Sequence, residues 1–230
     1  MTGRDSETAP PSPDFLFPLV HDLRAPLRAI LAFSALLEEK TKHVLAPGDL
    51  GDVARIRSAA DKLNQLADAL GRLAEASTKP GDWEDVDLAE VFHRHVTSFR
   101  EREPQRDTEF EIAGPLIVQG AARHFDILAF EILHNAWIAT RGVPSARISL
   151  RGQRTQAGVG FSLSDTGIGI PSDGWARLFR PFALVHSRSL WPGAGLGLWI
   201  AQTVVRHYNG RIELRPNDPA GVQVECWFPA

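Results

Sequence analysis

The sequence predicts a multi-domain protein: an all-α helical hairpin over residues 14–78, a short linker over 79–84, and an α+β sandwich over 85–230. Three observations predict it. Apolar residues recur every three or four positions over 20–37 and again over 53–73, the spacing of two long amphipathic helices. The stretch TKPGD at 78–82 interrupts that pattern with Pro80 and Gly81. Beyond it, Ile148 and Leu150, then Val159, Phe161 and Leu163, alternate every second position as strands do, between segments of helical spacing.

Taken in order, residues 1–13 hold several prolines among Ser, Thr, Gly and charges, the composition of a disordered tail. In the first helix Val20, Leu23, Leu27, Ile30 and Leu37 form a heptad-spaced stripe, with Ser34 filling the gap. Pro18 marks either the start of this helix or a kink, and Pro26 lies deep enough to kink it after His21. Pro47 and Gly48 make a turn of residues 41–51. The second helix carries Val53, Ile56, Ala60, Leu63, Ala67 and Leu70 and runs to about residue 77. A two-helix hairpin cannot cover both of its apolar faces, and pairing with a second copy covers them, which predicts a homodimeric four-helix bundle. In the second region, helical spacing is expected over 86–100, 125–140 and 196–207. Short strands are expected on either side of Gly114 and Pro115, at 148–150 and 159–163, and at 211–214 and 222–228 around the turn Asn209-Gly210.

Composition excludes several classes. The chain is 43% hydrophobic and 23% charged, enough for a real core. A net charge of −3 gives no pull toward nucleic acid or an anionic membrane. The single cysteine, Cys226, excludes an internal disulfide and a cysteine-based zinc site, and its place in a closing strand predicts core. His93 and His95 are two apart on a helix and face apart, a poor metal pair. No apolar run is long enough to span a bilayer and the start does not resemble a signal peptide, so a cytoplasmic location is expected.

Four local patterns carry chemistry. His21 stands beside Asp22 on a helix. A free imidazole titrates near ~6.5 and is mostly an unprotonated nucleophile at neutral pH. One ring nitrogen can attack an electrophile while the other passes its proton to the carboxylate; the plain alternative is a solvated surface pair. Glu131 and Asn135 of the segment EILHN share a helix face and could bind Mg²⁺ through oxygen; alone they would read as a solvated face. Asp165 of DTGIGIP ends a strand, where a carboxylate can accept from an exocyclic amine, and Gly167 and Gly169 let backbone approach a flat ligand; the plain alternative is a turn. Gly193, Gly195 and Gly197 of GAGLG lead into a helix and offer backbone N–H groups to phosphate. No Gly-Lys-Ser/Thr follows, so this is not a Walker loop, and no strand precedes it as a dinucleotide fingerprint requires.

In this order, the patterns resemble those of two-component sensor histidine kinases. The segment HDLRAP at 21–26 resembles the H box, EILHN at 131–135 the N box, DTGIG at 165–169 the first glycine box, LFRPF at 178–182 the F box, and GAGLG at 193–197 the second glycine box. The resemblance runs from about residue 14 to the end, and HDLRAPLRAI is similar to kinases of the phytochrome type. It implies a dimerisation and phosphotransfer domain followed by a Bergerat-type ATP-binding domain. It implies His21 as phosphoacceptor and Asp22 as the base polarising its ring. It also implies Asn135 as ligand of the Mg²⁺ that accompanies ATP, and Asp165 as partner of the adenine amine beside Gly167 and Gly169. Gly193, Gly195 and Gly197 would hinge a lid of residues 183–192, from which His186, Arg188 or Trp191 could reach the nucleotide or the partner domain. A response regulator's receiver domain would take the phosphoryl group.

The chain departs from the family at several places. Glu131 stands where asparagine is usual, and related ATPases and serine kinases of this fold use a glutamate there as base. Ile138 replaces the usual lysine, a loss for which Arg141 could compensate. Ala25 replaces a threonine or asparagine that in the family orients a water for regulator dephosphorylation, which implies a poor phosphatase. The sequence shows no sensor domain, membrane span or receiver, so input is expected from a separate protein. Two other readings stand beside a kinase: a non-catalytic phosphotransfer or scaffold protein with a degenerate ATP site, and a serine/threonine kinase of the same ATP-binding fold.

Overall fold

The computed structural model describes residues 10–44, 47–186 and 193–230. Arg188 and Trp191, most of the N-terminal tail and the middle of the turn at 41–51 lie outside them. The chain divides into two compact units, Met1–Glu75 and Ala76–Ala230.

The first unit is a helical hairpin of α1 (Pro13–Thr41) and α2 (Pro47–Ala76). Helix α1 begins at Pro13, ahead of Pro18, so of the two proline alternatives the start at Pro18 is corrected. Pro13 occupies its first turn, where a missing N–H costs nothing, and the Ser12 hydroxyl accepts from the Asp14 N–H at 3.2 Å. Pro18 and Pro26 both lie inside it. The heptad stripe divides in two. Val20, Leu27 and Ser34 are buried with Leu16, as are Val53, Ala60, Ala67 and Leu73 on the second helix. Leu23, Ile30 and Leu37 remain exposed, with Phe15 and Phe33 beside them and Ile56 and Leu63 on α2. Glu38 and Arg57 pair across the hairpin.

The second unit is an α/β sandwich. Its five-stranded sheet has the order β2-β4-β5-β7-β6, from β2 (Thr108–Ala113), β4 (Ala146–Thr155), β5 (Gly158–Asp165), β6 (Arg211–Pro216) and β7 (Val222–Pro229). The β2–β4 pair is parallel and the other pairs are antiparallel. Ile148, Leu150, Phe161, Leu163, Val224, Cys226 and Phe228 alternate into the core. They meet α3 (Leu88–Arg102), α4 (Ala122–Ala139) and α5 (Gly197–His207). Phe92 of α3 contacts Phe161 edge-on at 5.8 Å and Phe125 of α4 contacts Phe228 at 5.3 Å. Burial pushes the Cys226 thiol well above its ordinary value, so it is an inert core side chain.

Two local expectations needed correction. The segment expected as helix from residue 86 opens with a strand, β1 (Glu84–Asp87), which pairs antiparallel with β3 (Ile117–Gly120) outside the main sheet. Asp87 then caps α3, its side chain accepting from the Ala89 N–H at 2.8 Å. The strands around Gly114 also part company, β2 joining the large sheet and β3 the small one. Among the described residues no helix is long and apolar enough to cross a membrane.

Candidate functional site

In the first unit, His21 projects from α1 with its side chain 87% exposed and Nδ1 3.1 Å from Asp22 Oδ1. Nδ1 bound to the carboxylate leaves the Nε2 lone pair outward. Pro26 has no N–H to give the Asp22 carbonyl, so the helix ladder is interrupted just below the pair. Arg24 is drawn to the second helix, its guanidinium 3.3 Å from Asp68 Oδ1. Gly71 leaves room for it, since a Cβ there would come within 3.3 Å of Arg24. Ala25, one turn beyond His21, is exposed.

In the second unit, α4 carries Glu131 and Asn135 one turn apart, Glu131 buried and Asn135 half-buried. Gly197 opens α5 against both. A Cβ at Gly197 would lie 3.0 Å from Glu131 Oε2 and 3.5 Å from both amide atoms of Asn135. No side chain caps this helix start. Its first-turn N–H groups therefore stand at the side of a carboxylate and an amide, where phosphate and a shared cation can be received. Ahead of it, Gly195 at φ +69° lets the chain pass the Phe182–Ala183 backbone, where a Cβ would strike the Ala183 carbonyl at 2.8 Å. Gly193 is exposed.

Asp165 ends β5 and is 4% exposed. Its Oδ1 accepts from the Gly167 N–H at 2.8 Å and the Val222 N–H at 3.3 Å, and Oδ2 has no protein partner among the described residues. Burial pushes its carboxyl up to about 6, against the lowering effect of those two N–H groups. Gly167 lies flat on the end of α4, where a Cβ would come within 2.6 Å of the Ala139 backbone, and the Ile168 N–H donates to the Ala139 carbonyl at 3.0 Å. The glycine-box loop and the end of the Glu131 helix are thus one piece. Arg106 closes that helix end, donating to the Trp137 carbonyl and to Thr140 Oγ1 and lying over the Trp137 ring.

Two participants escaped the sequence reading. The Asn217 amide donates to the Asp165 carbonyl at 2.8 Å, and Gly221, at φ +103°, packs where a Cβ would come within 1.9 Å of that oxygen. Both belong to the β6–β7 connection, between the two expected closing strands, and no local pattern ties it to a strand end more than fifty residues earlier. His186, expected toward the nucleotide or the partner domain, has Nε2 2.9 Å from the Gly169 carbonyl oxygen. Ile138 is buried and offers phosphate nothing. Arg141 is engaged with Glu103 at 2.6 Å. Burial raises the Glu103 carboxyl, but Arg141 and Arg106 outweigh that and leave it lowered.

Residues 120–230 match the model of the histidine kinase-, DNA gyrase B- and HSP90-like ATPases. The phytochrome-like protein Cph1 of Synechocystis is 24% identical over 208 residues, 90% of this chain and 28% of its own length. The signal transduction histidine-protein kinase/phosphatase MprB of Mycobacterium bovis is 28% identical over 216 residues, 87% of this chain and 40% of its own. The chain therefore spans well under half the length of these relatives. Among solved structures, a mycobacterial sensor histidine kinase MprB superposes on 64% of this chain and 97% of its own, with TM-score 0.55 and 27% identity. Full-length ShkA in complex with AMPPNP superposes on 96% of this chain and 47% of its own, with TM-score 0.67 and 20% identity, a likeness of fold. Over residues 120–230 the chain is thus similar to the histidine kinase-, DNA gyrase B- and HSP90-like ATPases, and with the helical hairpin before them its architecture resembles that of sensor histidine kinases.

Proposed function

We propose that this chain is an ATP-dependent protein histidine kinase that phosphorylates its own His21 and passes the phosphoryl group to an aspartate of a response regulator. The observation that carries this reading is the exposed His21 with Nδ1 on Asp22 and Nε2 free to attack. The Nε2–P bond forms as the bond from the γ-phosphorus to the oxygen bridging to ADP breaks, and Asp22 takes up charge or proton from Nδ1–H. Asp165, Gly167 and Gly169 hold the adenine. The start of α5, with Gly195 and Gly197, receives the phosphates, and Gly193 gives the preceding chain freedom. Asn135 fits the family's Mg²⁺ ligand: its amide and the Glu131 carboxylate flank Gly197. Bound Mg²⁺ would supply charge neutralisation at the phosphates. Catalysis is otherwise positioning.

The expected product of incubation with labelled ATP and Mg²⁺ is acid-labile, alkali-stable phosphate on the protein. Alkali-labile phosphate would instead place the acceptor on serine or threonine.

The exposed apolar half of the α1 stripe supports a homodimer. Phe33→Glu, on that half, should shift the protein from a two-chain to a one-chain species in sedimentation. A dimer unmoved by this change would place the interface elsewhere. Position 25 bears on phosphate removal. An exposed alanine one turn from His21 has neither donor nor acceptor for a water. Regulator dephosphorylation with ADP present is expected to be slow, and faster with Ala25→Thr. Rapid loss with wild type and no gain in the variant would show that another group positions the water.

A further inference from the structure

His186 and Val185 follow the F box and reach back to the loop after Asp165. His186 Nε2 lies 2.9 Å from the Gly169 carbonyl oxygen. Val185 packs beside it, since a Cβ at Gly174 would come within 2.9 Å of its side chain and 3.1 Å of Ile170. Gly169 sits at φ +70° with no close approach at its α-carbon, the nearest atoms to a Cβ being those of Gly221 at an ordinary contact distance of 3.7 Å. A glycine so placed can turn its peptide at little steric cost. Asp165 does not hold that peptide, because its Oδ1 is occupied by the Gly167 and Val222 N–H groups. The histidine does.

We propose that His186 is a positioning residue of the adenine wall: by donating Nε2–H to the Gly169 carbonyl it fixes the peptide plane beside the base, and so acts on the base-binding side of the site rather than on the phosphates. The proposal rests on the ATP-binding reading above. Both the neutral Nε2–H tautomer and the cation donate, so the bond does not depend on which is present.

The test compares wild type, His186→Ala and His186→Gln in titrations with adenosine, ADP and ATP, and in ATP-dependent labelling. Loss of one neutral hydrogen bond should weaken all three ligands in His186→Ala by a common factor of about 3- to 10-fold. The glutamine variant, which keeps an amide donor, should recover most of it. In labelling, the KM for ATP should rise with kcat unchanged. If the alanine variant unfolds, His186→Leu keeps the packing without the donor and is read the same way. Unchanged affinities overturn the proposal. So does a loss confined to ATP and ADP with adenosine unaffected, which would put His186 on the phosphates. A wild type that binds none of the three would defeat the ATP-binding reading itself; a wild type that binds while the variants match it defeats only the role of His186.

Discussion

His21→Gln should bind ATP as the wild type does and take up no phosphate. The side chain is almost fully exposed and its one polar contact is with a neighbouring exposed aspartate, so its replacement leaves the core untouched. Surface substitutions of this kind change stability by less than about 0.5 kcal/mol. Glutamine keeps length and polarity but has no basic nitrogen, because the amide lone pair is delocalised. The effect on labelling should therefore be complete, while nucleotide titration and melting temperature stay put. Label persisting on the variant would move the acceptor to another residue.

Asp165→Asn should abolish tight ATP binding and, in the same protein, leave the nucleotide-free fold as stable as wild type or more so. An asparagine can keep the carboxylate's Oδ1 role toward Gly167 and Val222. Its NH₂ then faces the adenine amine, a donor against a donor. Losing the charge-assisted bond should weaken binding by roughly 1.5–3 kcal/mol, with the donor clash added. The stability half follows from the carboxyl being held at about 6, against ~3.9 in the unfolded chain. The folded state therefore binds the proton more tightly. Its advantage is full below about pH 4, declines as pH rises toward 6, and is spent above it, at a total on the order of 2–3 kcal/mol. Asparagine carries no charge to bury, so its relative gain in melting temperature should be present at pH 7 and shrink by pH 5. Wild-type ATP affinity should also fall as pH drops through about 6, since a proton on Oδ2 turns the acceptor into a donor. Undiminished nucleotide affinity in the variant would mean the base is held elsewhere.

Much of this molecule could be read from the sequence because its signals are local. The two long helices, the strand pairs 148–150 and 159–163, and the motif residues on α4 and α5 each lie within a few positions of what defines them. What stayed hidden depends on distant chain. Strand β1 is only Glu84–Asp87, too short and acidic to show alternation, and it exists because β3 pairs with it. The grip of Asn217 and Gly221 on Asp165 comes from a hairpin at the other end of the domain. Glu131 looked like half of a solvated face, and it is buried because Gly197 brings α5 against it. The α1 stripe was visible as one pattern, but nothing in its spacing says which half the chain itself would cover.

That division has a consequence for abundance. Val20, Leu27 and Ser34 are satisfied inside the hairpin, whereas Leu23, Ile30 and Leu37 stay 39%, 43% and 47% exposed. Full burial of such a side chain is worth about 1.5–3 kcal/mol relative to exposure. If a second copy covers them, part of the stability of α1 is supplied by mass action. The melting temperature of the hairpin should then rise with protein concentration. A cell that makes few copies would hold His21 on a looser helix than one that makes many, so expression level would itself tune how firmly the phosphoacceptor is presented.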